Sequence, residues 1–197
     1  IVAPQGGAIA AMAGLENPLT AKLDGRGDWK AWDGALTASL GGQPVADLSL
    51  KARDGQFALK GDAKVAEFVT ENLRAALAPT VAVDLTAKLT ERKAFLDGQL
   101  ASDAVRLDVK GGVDLGEGRY DKLALDLQVI RPAAVLPQIQ ANALRMSAVL
   151  DGKLALPIVD YQAKAARIAV NDVALERLTL PGKARVDADQ LIVPVAE

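Results

Sequence analysis

Carboxylate pairs such as Asp24 with Asp33, and Asp187 with Asp189, could suggest general acid–base work or cation binding. Such chemistry needs partners, and these are missing. The chain has no histidine, which removes the commonest general base and metal ligand. It has no cysteine either, so thiolate nucleophiles and thiolate or imidazole zinc sites are excluded. Asp24 and Asp33 each precede a glycine, where acids are expected as turn residues. Asp187-Ala188-Asp189 is not followed by the oxygen-rich loop that a calcium ion requires. The glycine-rich stretch GGVDLGEG, 111–118, lacks both the dinucleotide spacing and the phosphate-loop lysine, and it reads as a bulge followed by a hairpin turn. No catalytic residue, metal or cofactor is assigned, and the chain is read as non-enzymatic.

Composition narrows the remaining classes. Half of the 197 residues are hydrophobic, yet the only aromatic residues are Trp29, Trp32, Phe57, Phe68, Phe95, Tyr120 and Tyr161. Closed cores usually draw bulk from aromatic rings, whereas here Leu, Val and Ala supply nearly all of it. The net charge of −2 comes from interspersed acids and bases with no basic run, so the clustered footprint of a nucleic-acid binder is absent. The longest nearly apolar window, Gly6–Leu15, is about half of the roughly 20 residues a spanning helix needs. Its start at Ile1 rather than Met leads to the expectation that the chain is a piece of something larger.

Period-2 alternation dominates the rest. Leu19, Ala21 and Leu23 alternate with Thr20, Lys22 and Asp24, and Ala46, Leu48, Leu50 and Ala52 with Asp47, Ser49, Lys51 and Arg53. Such patterns predict half-buried strands. Similar rows run through Val81–Leu89, Val105–Leu115, Leu123–Val129 and Leu144–Leu150, and strands are expected to continue through LALPIV, YQAKAARIAV, VALERLTL and ARVDADQLIVPV. Turns are expected at Asp24-Gly25, Asp33-Gly34, Gly41-Gly42, Asp54-Gly55, Gly116–Gly118, Asn171-Asp172 and Pro181-Gly182. Pro157 and Pro194 argue for edges or bends. Short helices are predicted at about 7–15, 65–77 and 132–139, the first ended by Asn17-Pro18 and the second by Pro79.

The pentapeptide LTAKL occurs at Leu19–Leu23 and again at Leu85–Leu89, with a degenerate copy, MSAVL, at Met146–Leu150. A-x-L-D-G recurs at Ala21–Gly25, Ala94–Gly98 and Ala148–Gly152. These copies divide the chain into units of roughly 1–64, 65–131 and 132–197. A period of about 60–66 residues with one supersecondary unit each is the signature of a quasi-linear array. A closed β-sandwich produced by duplication is the competing explanation. The apolar rows likewise have two readings. They pack against one another as an ordinary core, or the sheet is curled with its apolar face incompletely filled and open to something apolar.

Segments such as GDWKAWDGALTASLGGQPVADLSLKARDGQFALKG, ASDAVRLDVKGGVDLGEGRYDKLALDLQVIRPAAVLP and LDGKLALPIVDYQAKAARIAVNDVALERL resemble the TamB proteins of Gram-negative bacteria, of the AsmA-like, bridge-type lipid transfer group. The resemblance covers essentially the whole chain. It implies a mainly β fold, an elongated and curled antiparallel sheet shaped as a taco-like trough with an open apolar groove, of which the chain is an interior section, 1–197. It further implies a periplasmic protein anchored in the inner membrane, moving phospholipid toward the outer membrane and taking part in outer-membrane biogenesis with a barrel partner. Phospholipid acyl chains are then the expected partners, and nucleic acid is not. Alternation assigns the groove to Leu19, Leu23, Leu36, Leu40, Leu48, Leu50, Leu85, Leu89, Leu107, Val109, Leu125 and Leu127. The rival readings are a scaffold or chaperone for outer-membrane proteins that works by strand-edge pairing, and a closed β-sandwich structural repeat.

Overall fold

The computed structural model describes residues 2–3, 19–28, 30–66, 69, 71–136, 138–170, 173–187 and 190–192. Their strands are β1 (Val2–Ala3), β2 (Leu19–Gly27), β3 (Ala31–Leu40), β4 (Gln43–Arg53), β5 (Gln56–Ala63), β6 (Val81–Thr90), β7 (Lys93–Ala101), β8 (Val105–Asp114), β9 (Arg119–Val129), β10 (Gln140–Asn142), β11 (Arg145–Lys153), β12 (Leu156–Val170), β13 (Val173–Asp187) and β14 (Gln190–Ile192). Two short helices interrupt them, α1 (Glu71–Leu77) and α2 (Pro132–Val135). All strands join one 14-stranded sheet in chain order, with β10 set aside as a short partner of β12. Every pairing is antiparallel, and the order begins at β1 and ends at β14, so the sheet is open.

Turn chemistry sets the register of the meander. Gly41 and Gly42 lie at φ 58° and 84°, and Asp54 and Gly55 at 45° and 80°. Positive φ at both central residues gives two-residue turns whose twist matches the flanking strands. The Asp-Gly pairs at 24–25 and 33–34 behave otherwise and lie inside β2 and β3. Gly25 faces Gly34 across the ladder, and the ring of Trp32 covers both, occupying the space a Cβ at either position would need. Cross-strand stacking of an aromatic ring on paired glycines overrides the local turn signal. All three A-x-L-D-G copies are internal to strands, in β2, β7 and β11.

Four further expectations are corrected. The LPIV part of LALPIV and YQAKAARIAV form one continuous strand, β12, with Leu154 and Ala155 in the turn before it, and VALERLTL runs on through Pro181-Gly182 as β13. Pro181 is tolerated because β14 pairs only with Arg185–Asp187, so among the described residues Pro181 has a strand on one side alone. Gly182 lies under Tyr161, which explains its place in a strand rather than a turn. The second helix is shorter than 65–77, its α-helical part starting at Glu71. The third stops at Val135 instead of 139, since Leu136 leaves the helical region (φ −131°, ψ 74°) ahead of Pro137. The predicted helix at 7–15, the turn at Asn171-Asp172, and Phe68, Trp29 and Pro194 lie outside the described residues.

A closed sandwich is not what these strands build. No large side chain among the described residues is fully buried, and the chain exposes 13389 Å², against about 8,900 Å² for a compact protein of this mass. Burial is concentrated at one end of the strands, at Leu40, Val45, Ala66, Ala76, Val81, Ala104, Val129 and Ala141, where α1 and α2 touch. Ser102 ties that end together: its hydroxyl donates to the Ala76 carbonyl at 2.5 Å and accepts the N–H groups of Ala104 and Val105 at 3.1 Å. Ile130 and Arg131 donate to the Ala104 carbonyl.

Because the Trp32 ring fills the space above Gly34, Gly34→Val is expected to cost about 1–3 kcal/mol in urea unfolding followed by far-ultraviolet circular dichroism. In a Trp32→Ala background the same change is expected to cost less, the remainder coming from the Asp24 carbonyl oxygen that also lies where the new Cβ would go. Additive costs in that double-mutant cycle would show that the ring and the glycine do not interact.

Candidate functional site

Antiparallel register places the alternating residues of every strand on two unlike faces. One row runs Leu23, Leu36, Leu48, Gly61, Val83, Leu100, Leu107, Leu127, Met146, Ala163, Leu180, each directly opposite the next. The adjacent row runs Gly25, Gly34, Leu50, Leu59, Leu85, Gly98, Val109, Leu125, Ala148, Tyr161, Gly182. Neither contains a charge. The row between them, on the opposite face, reads Asp24, Ala35, Ser49, Lys60, Asp84, Gln99, Asp108, Asp126, Ser147, Gln162, Pro181. Along these three rows, from β2 to β13, the sheet is therefore apolar on one side and mainly polar on the other.

Of the twelve leucine and valine positions expected from alternation, the eleven whose side chains the structure describes fall on the apolar face. Leu23, Leu36, Leu48, Leu107 and Leu127 share the first row, and Leu50, Leu85, Val109 and Leu125 the second. Leu89 pairs with Ala94 near the end of β6, and Leu19 takes the register position opposite Leu40. They are not equivalent. Leu40 is 2% exposed and belongs to the packing beside the helices, whereas Leu23 is 53% exposed. The same face holds Trp32, Phe57, Leu59, Val83, Leu96, Leu100, Leu123, Leu150 and Val159, which the leucine-based selection omits although their alternation is identical. A concavity of about 490 Å³ opens on this face among Leu23, Gly27, Asp28, Trp32, Leu50, Ala52, Gly55 and Phe57.

The polar face is held by exposed ion pairs between neighbouring strands: Lys60–Asp84 at 2.9 Å, Lys110–Asp97 at 3.1 Å and Lys183–Asp160 at 3.2 Å. Fully solvated pairs of this kind contribute little to stability, but they keep the face wet. Asp24 is engaged by Lys22 and Asp33 by Arg53, so this carboxylate pair is a pair of salt-bridged surface acids. Asp189 lies outside the described residues. Among the described residues no cluster of acids is placed to hold a metal ion. Two acids cap turns. Asp28 accepts the Lys30 and Ala31 N–H groups at 2.8 and 2.9 Å, and Asp114 accepts those of Gly116 and Glu117 at 2.9 Å. These donors hold both carboxyls below the usual carboxylate range.

An open, two-faced antiparallel sheet is the class of protein these features define. No protein-family profile matches the chain, and neither a curated protein nor a solved structure is significantly similar to it.

The lowered pKa of Asp114 has a defined sign. A carboxyl whose folded pKa lies below its unfolded value stabilises the turn fully above the ordinary carboxylate pKa, and that stabilisation is lost as pH falls through the folded value. Protection of the Gly116 and Glu117 amides, taken relative to their intrinsic exchange rates, is expected to hold at neutral pH and to be lost only in acid as Asp114 takes up its proton, with Asp114→Ala unprotected throughout. Wild-type exchange that is already fast at neutral pH would contradict the cap.

Proposed function

We propose that the chain is a section of a periplasm-spanning hydrophobic conduit for phospholipid, of the TamB-like, AsmA-related kind. Acyl chains lie along the apolar face and the polar face meets water. The reading takes the sheet to curl around that face as a trough, built from three repeats. It is carried by one observation: two uninterrupted charge-free rows cross the sheet from Leu23 to Leu180 and from Gly25 to Gly182, and no described strand or helix covers them as a second layer. Monomeric soluble proteins rarely leave a contiguous apolar surface of that extent uncovered. Chain-like ligands suit it, because the face is built of aliphatic side chains with few interlocking rings, and burial is worth roughly 25 cal/mol per Å² of apolar surface. No step of this function is chemical. In the cell the section belongs to a protein anchored in the inner membrane, serving outer-membrane biogenesis with a barrel partner engaged through other parts.

Strand-edge pairing with an outer-membrane client draws its support from the open ends of the sheet. The β13 edge is poorly suited to it. Pro181 has no N–H to offer a further strand, and Arg177 sits at φ 53° within the same edge.

A photo-crosslinking residue at Leu125 is expected to capture phospholipid from cells while one at Asp126, on the opposite face, captures none. Native mass spectrometry of the purified chain is expected to find the same lipid bound. Capture at Asp126 and not at Leu125 would overturn the face assignment, and client strands captured along β13 with no lipid at Leu125 would favour edge pairing.

A further inference from the structure

The two rims where strands end differ in construction, and the difference bears on how an amphiphile sits in the sheet. The rim at Leu40, Val81, Ala104 and Val129 is sealed. Those side chains are buried there beside α1 and α2, and the Ser102 hydrogen bonds close the gap between helix and turn. Among the described residues the opposite rim consists of tight turns, and four of them are each stitched to the one before. Asp54 N–H donates to the Lys30 carbonyl at 2.9 Å, Leu89 to Gly55 at 2.7 Å, Leu115 to Arg92 at 2.8 Å and Leu154 to Gly118 at 2.9 Å. Three consecutive stitches thus begin at a leucine, and Leu89, Leu115 and Leu154 are 39%, 53% and 40% exposed.

A cation accompanies each leucine. Lys88 precedes Leu89, Arg92 supplies the carbonyl that Leu115 binds, and Lys153 precedes Leu154. All three side chains are exposed, and none forms an ion pair with another described residue. Most nearby acids are already engaged: Asp114 by turn amides and Lys93, and Glu117 and Asp151 by Arg119, leaving Glu91 beside Arg92. A line of exposed leucines interleaved with available cations has the chemistry of a boundary between hydrocarbon and phosphate.

We propose that this hairpin rim is the mouth of the site: phospholipid head groups lie along it, their phosphates beside Lys88, Arg92 and Lys153, and acyl chains pass inward over Leu89, Leu115 and Leu154. The inference rests on the conduit reading and adds a direction to it. The helix rim also carries cations, Lys64 and Arg74, around a recess of about 500 Å³. It differs in that the apolar residues behind that recess are packed shut.

The chain has no native cysteine, so single labels are unambiguous. A nitroxide on Leu115→Cys is expected to quench most of the emission of phosphatidylethanolamine carrying a fluorophore on its head group. The same nitroxide on Arg74→Cys, an exposed helical position, is expected to quench little. Stronger quenching from position 74 overturns the orientation while leaving the conduit intact. In a second arm, Lys88→Gln, Arg92→Gln and Lys153→Gln are each expected to weaken binding of phosphatidylglycerol by about fivefold, the effect of one cation near anionic lipid. Unchanged affinity in the triple variant, with circular dichroism unaltered, overturns the role of the cations. If the unlabelled chain binds neither lipid, the conduit reading itself falls, which is measured before any label is attached.

Discussion

The constraint on which everything else depends is the strict alternation imposed by extended backbone within a continuous hydrogen-bonded ladder. A strand that pairs on both sides cannot rotate, and a slip of one residue would exchange its two faces. In β2 to β13 such a slip would send leucines to the charged side and Lys–Asp pairs to the apolar side. Pairing and patterning therefore enforce each other from strand to strand. The bulges confirm how closely the register is kept: at Gly111, opposite Leu123, the shift restores Val113 to the same face as Tyr120.

Glycines on the apolar face have a role that loop chemistry does not suggest. Gly25 and Gly34 underlie Trp32, Gly182 underlies Tyr161, Gly61 adjoins Leu48, and Gly98 adjoins Leu85. Each leaves a shallow gap that a larger neighbour occupies, so the face is levelled without a second layer. With few aromatic rings in the chain, two of them are spent covering glycine rather than filling a core. This accounts for a high aliphatic content alongside the absence, among the described residues, of any fully buried large side chain.

The two rims give the sheet a polarity of its own. Long connections carrying α1 and α2 collect at one strand end, where most of the buried residues lie, while among the described residues two- to four-residue turns form the other. The conduit proposed above needs one side that is closed and one that admits the ligand, and two rims of unlike construction are compatible with that need. The flat, solvated ion pairs of the polar face suit a surface that must stay in water along its whole width.

Much of this was legible in the residues. Leu36, Leu48, Leu50, Leu85, Leu107, Val109, Leu125 and Leu127 could be assigned to one face because side-chain direction in a strand is a local property with period 2. The Gly41-Gly42 and Asp54-Gly55 turns were legible for the same reason, since positive φ is decided within two residues. The Asp-Gly pairs at 24–25 and 33–34 misled, because what keeps them extended is Trp32 and each other across the ladder, a contact no local window contains. Pro181 misled likewise, its place in β13 depending on how little of that edge β14 covers. The sequence by itself determined two-faced strands and the identity of each face, because alternation is local. Only the tertiary structure decided that these strands join one open sheet in chain order, that Leu40 is buried while Leu23 is not, and that one rim is sealed. Those outcomes depend on which segments meet, and meeting is governed by non-local pairing and burial.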